Sequence, residues 1–175
     1  FFVADCYAQM AYNNCNNALE LCPNTTVNVT NIGANRTLCG GCEDDFNFCF
    51  APANSIWIKF TTNADGGDVQ ISLTNPVFQI QPGQGTRYNA NLIQATIPCN
   101  STSYTSIGNC ISAATGSQAI NTIGLAPNTT YYLVLSGDQT APGVTAPAEF
   151  NIDVAVAGTA VDRPIPVMNA GMSTI

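Results

Sequence analysis

The sequence contains no histidine, and that absence removes the Ser-His-Asp triad, the Cys-His pair and every imidazole-ligated metal site. Charge is scarce too: 9% of residues are Asp, Glu, Lys or Arg, where an ordinary soluble domain carries about a quarter. Four basic residues against eleven acidic ones leave a net charge of -7, so a phosphate backbone or an anionic surface is repelled and nucleic acid is excluded as a partner. No run approaches the roughly 20 apolar residues of a membrane helix, so no membrane insertion is expected. No basic, then apolar, leader opens the chain, which reads as mature sequence. Phe1 to Cys6 makes a poor lipobox, because Asp5 stands where a small residue precedes a lipidated cysteine.

What is present is 175 residues, enough for one domain, with 46% hydrophobic residues and eight cysteines. Cys6, Cys15, Cys22, Cys39, Cys42, Cys49, Cys99 and Cys110 are even in number and read as a disulfide framework built in an oxidising place, extracellular or at the cell surface. The Ser/Thr/Asn-rich stretch between Cys99 and Cys110 suggests that these two close one loop; the pairing of the other six stays open. Cys39-Gly40-Gly41-Cys42 has the spacing of a redox pair or half a zinc site. The chain lacks the strand-to-helix setting of the former, and the latter would need Cys49 and a carboxylate, so disulfides are the preferred reading.

Alternation of period two recurs in short bursts. Val69, Ile71 and Leu73 point one way while Asp68, Gln70, Ser72 and Thr74 point the other, and 150–156 repeats the pattern with Phe150, Ile152, Val154 and Val156 inward. The more continuously apolar 55–62 and 130–135 predict strands covered on both faces. Further strands are expected over 25–32, 77–81, 91–97 and 118–125, between Asn-Pro, Pro-Gly, Asp-Gly-Gly and Pro-Asn turns. The one helical pattern is 13–21, where Cys15, Ala18, Leu19 and Cys22 fall near one face. The expected fold is all-β: an antiparallel two-sheet sandwich, jelly-roll or Ig-like, of about eight strands, with one short N-terminal helix and disulfide bracing. Residues 1–160 form this domain. Two prolines in Val161-Asp162-Arg163-Pro164-Ile165-Pro166-Val167-Met168 make 161–175 an extended tail or linker.

Several side-chain groups invite a function. Glu43-Asp44-Asp45 and the turn 63–68 gather carboxylates, with Asp44, Asp45, Asp65 and Asp68 as candidate calcium ligands, although the spacing is not that of an EF-hand and solvated turns are the plainer reading. The same acids offer little for glycoside hydrolysis without a cleft between them. Asn-X-Ser/Thr sequons stand at Asn24, Asn28, Asn35, Asn100 and Asn128, candidate glycosylation sites or simply turn residues. Lys59, the only lysine, follows Ser55 by four residues, one too many for a Ser-x-x-Lys pair, and shares its side of a strand with Trp57, whose face suits an ammonium.

Cys15-Asn16-Asn17-Ala18-Leu19-Glu20-Leu21-Cys22, Ser55-Ile56-Trp57-Ile58-Lys59-Phe60-Thr61, Asp68 to Leu73, and Ile123-Gly124-Leu125-Ala126-Pro127-Asn128-Thr129-Thr130-Tyr131-Tyr132-Leu133-Val134 together resemble the motifs of sandwich modules in secreted and cell-surface proteins of Bacteroidetes-type bacteria. Such modules are similar to pre-peptidase C-terminal, CUB-like and fibronectin-like domains. The resemblance spans about residues 13 to 157 and implies a fold and a setting, in adhesins, surface layers and exoenzymes, more than a chemistry. Asn128 stands where the family often has glycine, a turn position that Asn also fills.

The expected function is therefore a non-catalytic extracellular structural protein, a filament or array subunit that self-associates through terminal segments carrying Phe1, Phe2, Val3, Ile165, Val167 and Met168. The alternative is an adhesive or carbohydrate-binding module whose exposed aromatics, such as Tyr88 or Tyr104, stack on surface glycans. No resident cofactor is expected beyond the calcium considered above.

Overall fold

The alternating segments fold as their pattern dictates, each turning one face into a shared core. The computed structural model describes residues 12–36 and 40–162. Among them run nine strands: β1 (Leu19–Glu20), β2 (Thr26–Thr30), β3 (Ile56–Thr61), β4 (Gly67–Phe78), β5 (Tyr88–Ala95), β6 (Tyr104–Ala114), β7 (Gln118–Leu125), β8 (Thr130–Gly137) and β9 (Phe150–Ala157). They form a five-stranded sheet, ordered β1-β3-β8-β5-β6, and a four-stranded sheet, ordered β2-β9-β4-β7. All pairings are antiparallel except that of β1 with β3. From β2 onward the chain changes sheet at every step except β5 to β6, which is jelly-roll and not Ig-like connectivity. No helix among the described residues is long and apolar enough to cross a membrane.

Ile58, Phe60, Leu92 and Leu133 of the larger sheet pack against Val69, Ile71, Leu73, Ile152 and Val154 of the smaller, all buried. Ala160 and Val161, past the end of β9, pack into the same core. Where the sheets meet between β6 and β7, the Asn109 side chain substitutes for a peptide: its Nδ2 donates to Ala119 O and its Oδ1 accepts from Asn121 N–H, both at 3.1 Å. The β7–β8 turn is fixed by Tyr131, whose hydroxyl accepts from the Ala126 N–H at 3.0 Å.

Three local expectations are corrected. The segment 68–74 and the first two residues of 77–81 are one strand, β4, which ends at Phe78 and is bent at a register shift between Thr74 and Val77; Asn75 turns to φ 53° there, and Pro76 sits where no ladder bond is needed. The polar stretch after Cys99 is no loop: β6 occupies it as an edge strand, whose Gly108 (φ 68°) breaks the alternation. The helix over 13–21 is a single 3-10 turn, Cys15–Asn17, capped by the Asn14 side chain, followed by β1. Leu19 and Leu21 are both buried, and two-residue spacing puts them on one face of an extended chain but not of a helix. Nine residues are also too few for a helix to hold without packing.

Candidate functional site

Sheet faces decide what this surface offers, and the two outer faces differ. On the five-stranded sheet, Trp57, Ile93, Tyr132 and Val134 point away from the core, yet all four are buried. They are covered by residues 40–54, which lay Phe46, Phe48 and Phe50 over them: Phe46 and Phe48 meet edge to face at 5.0 Å, and Phe48 and Phe50 stack at 5.4 Å. Both faces of β3 and β8 are thus covered, as their continuous apolarity predicts. Alternation in Phe46-Asn47-Phe48-Cys49-Phe50 is the sequence signal that could have revealed this cover.

Two disulfides hold the arrangement down. Cys15–Cys99 ties the N-terminal 3-10 turn to the β5–β6 connection, and Cys49–Cys110 ties the cover to β6. The expected Cys99–Cys110 loop is therefore corrected: β6 is extended between these positions, and six strand residues span about 20 Å, beyond any disulfide's reach. Cys22 and Cys42 are disulfide-bonded as well, and no described cysteine is free. Cys6 and Cys39 lie outside the described residues.

The aromatic side chains proposed for stacking on sugars are inside. Tyr88 is fully buried, its hydroxyl donates to Gly116 O at 2.9 Å, and burial pushes its pKa up to about 12. Tyr104 is 7% exposed and packs against Phe46 and Trp57; burial, then the negative charge of Glu43, then Tyr132 and Asp44, hold its hydroxyl protonated far above the ordinary range. Among the described residues no aromatic ring is more than partly exposed. The Trp57 ring is no platform for Lys59 either: it is sealed beneath Phe48, and Lys59 Nζ lies 3.5 Å from Glu20 Oε2.

The candidate calcium ligands are dispersed. Asp44 is buried beside Tyr104, Asp45 accepts from the Gly41 N–H at 3.3 Å, Asp65 lies in the β3–β4 connection, and Asp68 lies at the start of β4 and accepts from the Gly124 N–H at 2.9 Å. Among the described residues no three His, Cys, Asp or Glu gather so as to hold a metal ion. A polar cavity of about 470 Å³ opens beside Cys15–Cys99, lined by Asn14, Asn16, Asn17, Gly41 and Glu43, but the Glu43 Oε2 already accepts from the Cys15 N–H at 3.1 Å. Of the sequon residues, Asn24, Asn28, Asn35 and Asn128 are exposed and Asn100 half-buried. Asn24 and Asn28 donate to Asp162 and Asp153, and Asn100 Oδ1 accepts from Thr102.

The outer face of the four-stranded sheet carries no such cover among the described residues. Rows of Thr26, Ala155 and Ser72, of Asn28, Asp153 and Thr74, and of Thr30, Asn151 and Val77 cross it. On this face Asp153 accepts from Asn28 at 2.7 Å and Asn75 at 2.9 Å, which lowers its pKa.

The sandwich has two poles, and the described chain enters at one and leaves at the other. Tyr12 sits where β2 ends and β3 begins: its hydroxyl accepts from the Thr30 N–H at 3.0 Å and its carbonyl from the Trp57 N–H at 2.7 Å. Asp162 sits at the far pole, accepting from Asn24 before β2 and from Asn63 after β3. Beside Tyr12 lies a cavity of about 260 Å³ lined by Thr30, Ile32, Gly33, Ala34 and Ile56. The same pole is locked by a polar cluster that sequence reading missed, Asn31, Asn54 and Ser136, all buried. Nothing in their spacing marks them, since each belongs to a different segment. The candidate assembly residues Phe1, Phe2, Val3, Ile165, Val167 and Met168 lie outside the described residues.

No family model matches this sequence, and no curated protein matches it. Two solved structures are similar in shape. The pre-peptidase C-terminal domain of a collagenase from Bacillus anthracis shares 16% identity over 78% of this chain and 91% of its own, with a TM-score of 0.35. CorA, a surface-associated copper-binding protein important in copper acquisition by Methylomicrobium album BG8, shares 12% identity over 79% of this chain and 97% of its own, with a TM-score of 0.41. At these values both are likenesses only, and nothing of their roles passes to this chain.

Proposed function

We propose that this is a non-catalytic structural subunit of an extracellular filament or array, joined to neighbouring copies through its terminal segments, 1–3 and 164–175. The observation that carries this reading is the placement of Tyr12 and Asp162 at opposite poles of the sandwich. A subunit whose two ends depart from opposite poles is built for a head-to-tail contact, and such a contact repeats into an open assembly unless rotation closes it. Durable disulfides suit an oxidising exterior, and a four-stranded face of Thr, Ser, Asn and Ala sets little like-charge repulsion between neighbours.

The test is electron microscopy of the full chain beside a chain ending at Asp162. A helical or lattice repeat from the full chain, with a folded monomer from the shortened one, is the expected result. Normal polymers from the shortened chain would refute the role of the C-terminal segment.

A further inference from the structure

Resting on that reading, we propose that the cavity beside Tyr12 receives residues 164–168 of a second copy. Its lining is mainly apolar: Ile32, Gly33, Ala34, Ile56 and the Tyr12 ring, with Asn13 and Thr30 as the polar members. Ile32 is 41% exposed there, a large aliphatic side chain left at the surface. Gly33 holds φ +75°, and no atom of the described residues lies within 4 Å of where a side chain would begin, so the space on that side of the cavity is open. At about 260 Å³ it is smaller than the roughly 300–1,000 Å³ of ordinary small-molecule pockets, a size for a few aliphatic side chains.

Two details select the occupant. β2 is an edge strand of its sheet, but the Tyr12 hydroxyl already takes the Thr30 N–H, so an added strand finds its ladder partner occupied at the cavity. The seat thus suits a segment that offers side chains and not ladder bonds. Pro164-Ile165-Pro166-Val167-Met168 has that chemistry: its prolines donate no hydrogen bond and favour an extended course, and Ile165, Val167 and Met168 supply the aliphatic groups. The donor is another copy because β9 runs from the pole of this cavity, where Phe150 N–H donates to Asn31, toward the opposite pole, where Asp162 is anchored. Returning to the same molecule's cavity would require the chain to reverse and retrace about 20 Å, the length of six strand residues alongside β2.

The test mixes two half-competent proteins. Full-length Ile32→Asp spoils the cavity and keeps the tail; the chain ending at Asp162 keeps the cavity and lacks the tail. Ile32→Asp should raise the critical concentration for assembly by roughly tenfold or more, with Ile32→Leu restoring it and thermal melting unchanged. At concentrations just above the parent's critical concentration neither half-competent protein should polymerise alone, while their mixture should sediment as a one-to-one complex. Normal assembly by Ile32→Asp, with the shortened chain inert, would overturn the cavity as acceptor and leave the subunit reading standing. A full chain that stays monomeric at every concentration would overturn both.

Discussion

Asn31 and Asn54 donate their side-chain amides to a single acceptor, the carbonyl of Ala148, over 3.0 and 2.9 Å. Their oxygens accept from Phe150 N–H at 2.7 Å and Gly137 N–H at 2.8 Å, so two buried amides tie together the ends of β2 and β8 and the starts of β3 and β9. Gly137 must be glycine here, since a Cβ would lie 2.0 Å from that same Ala148 oxygen. Replacing Asn54 by Ala leaves the buried Gly137 N–H without its acceptor and should cost about 2 to 3 kcal/mol in denaturant unfolding. Asn31→Asp, which keeps the shape but loses both donors and buries charge, should cost more. A loss below about 0.5 kcal/mol for both would show that water replaces these bonds.

Arg87 and Asp138 form the ion pair at the β5–β8 end, Nη2 to Oδ2 at 2.6 Å, with Asp138 only 4% exposed and also accepting from Thr140. Arg87→Ala abandons a buried carboxylate and should destabilise by about 3 kcal/mol. The double variant Arg87→Ala/Asp138→Ala should recover part of that loss. Equal melting of the single variant and the parent protein would contradict this.

The disulfides bridge sequence separations of 84 and 61 residues. On the chain-entropy account each stabilises by about 4 kcal/mol. The pair Cys49→Ser/Cys110→Ser should lose about that much and make 40–54 more open to protease, because the cover then loses its covalent tie to β6. Melting indifferent to reductant would speak against both bridges.

Alkaline pH reads out the buried tyrosines. Burial raises Tyr88 to about 12 in the folded state from 10.0, so its contribution is intact below pH 10 and is lost as pH rises through 12. Tyr104 shifts the same way, and its hydroxyl has no hydrogen-bond partner among the described residues. Tyr104→Phe should therefore leave stability at pH 7 within about 0.5 kcal/mol of the parent and lessen the loss above pH 10. An unchanged alkaline limb in chemical unfolding would remove Tyr104 from that account.

Acid reads out the surface of the smaller sheet. Hydrogen bonds from Asn75 and then Asn28 lower the Asp153 pKa from 3.8, so its contribution is present above that value and fades as pH falls through the folded one. Asn75→Ala should raise the Asp153 carboxyl pKa toward the ordinary value, seen by carbon NMR of the carboxyl; no movement would mean that Asn28 suffices.

The strands facing one core were legible because Val69, Ile71 and Leu73, or Phe150 to Val156, repeat every second residue. β6 was hidden because an edge strand in contact with solvent needs few apolar residues, and Gly108 interrupts its rhythm. The 3-10 turn was mistaken for a helix because Cys15, Ala18, Leu19 and Cys22 fit a helical face as well as chance allows over one short segment. The buried Asn31 and Asn54 were illegible for a stricter reason: in a sequence crowded with asparagine, only tertiary structure says which amides replace water with backbone partners. The same holds for Tyr88 and Tyr104, whose burial depends on the cover and on the far strands.

Pulled from Tyr12 and Asp162, the chain is shorter than its length in residues suggests. The Cys15–Cys99 bridge, which joins positions 84 apart in sequence, takes residues 16–98 out of the line of tension, leaving only 12–15 and 99–162 to pay out. Even with every strand torn from its sheet, the molecule could not lengthen as an unbridged chain would. Units joined at these two points would lengthen far less under load than unbridged chain of the same length, and a reductant would release the remainder.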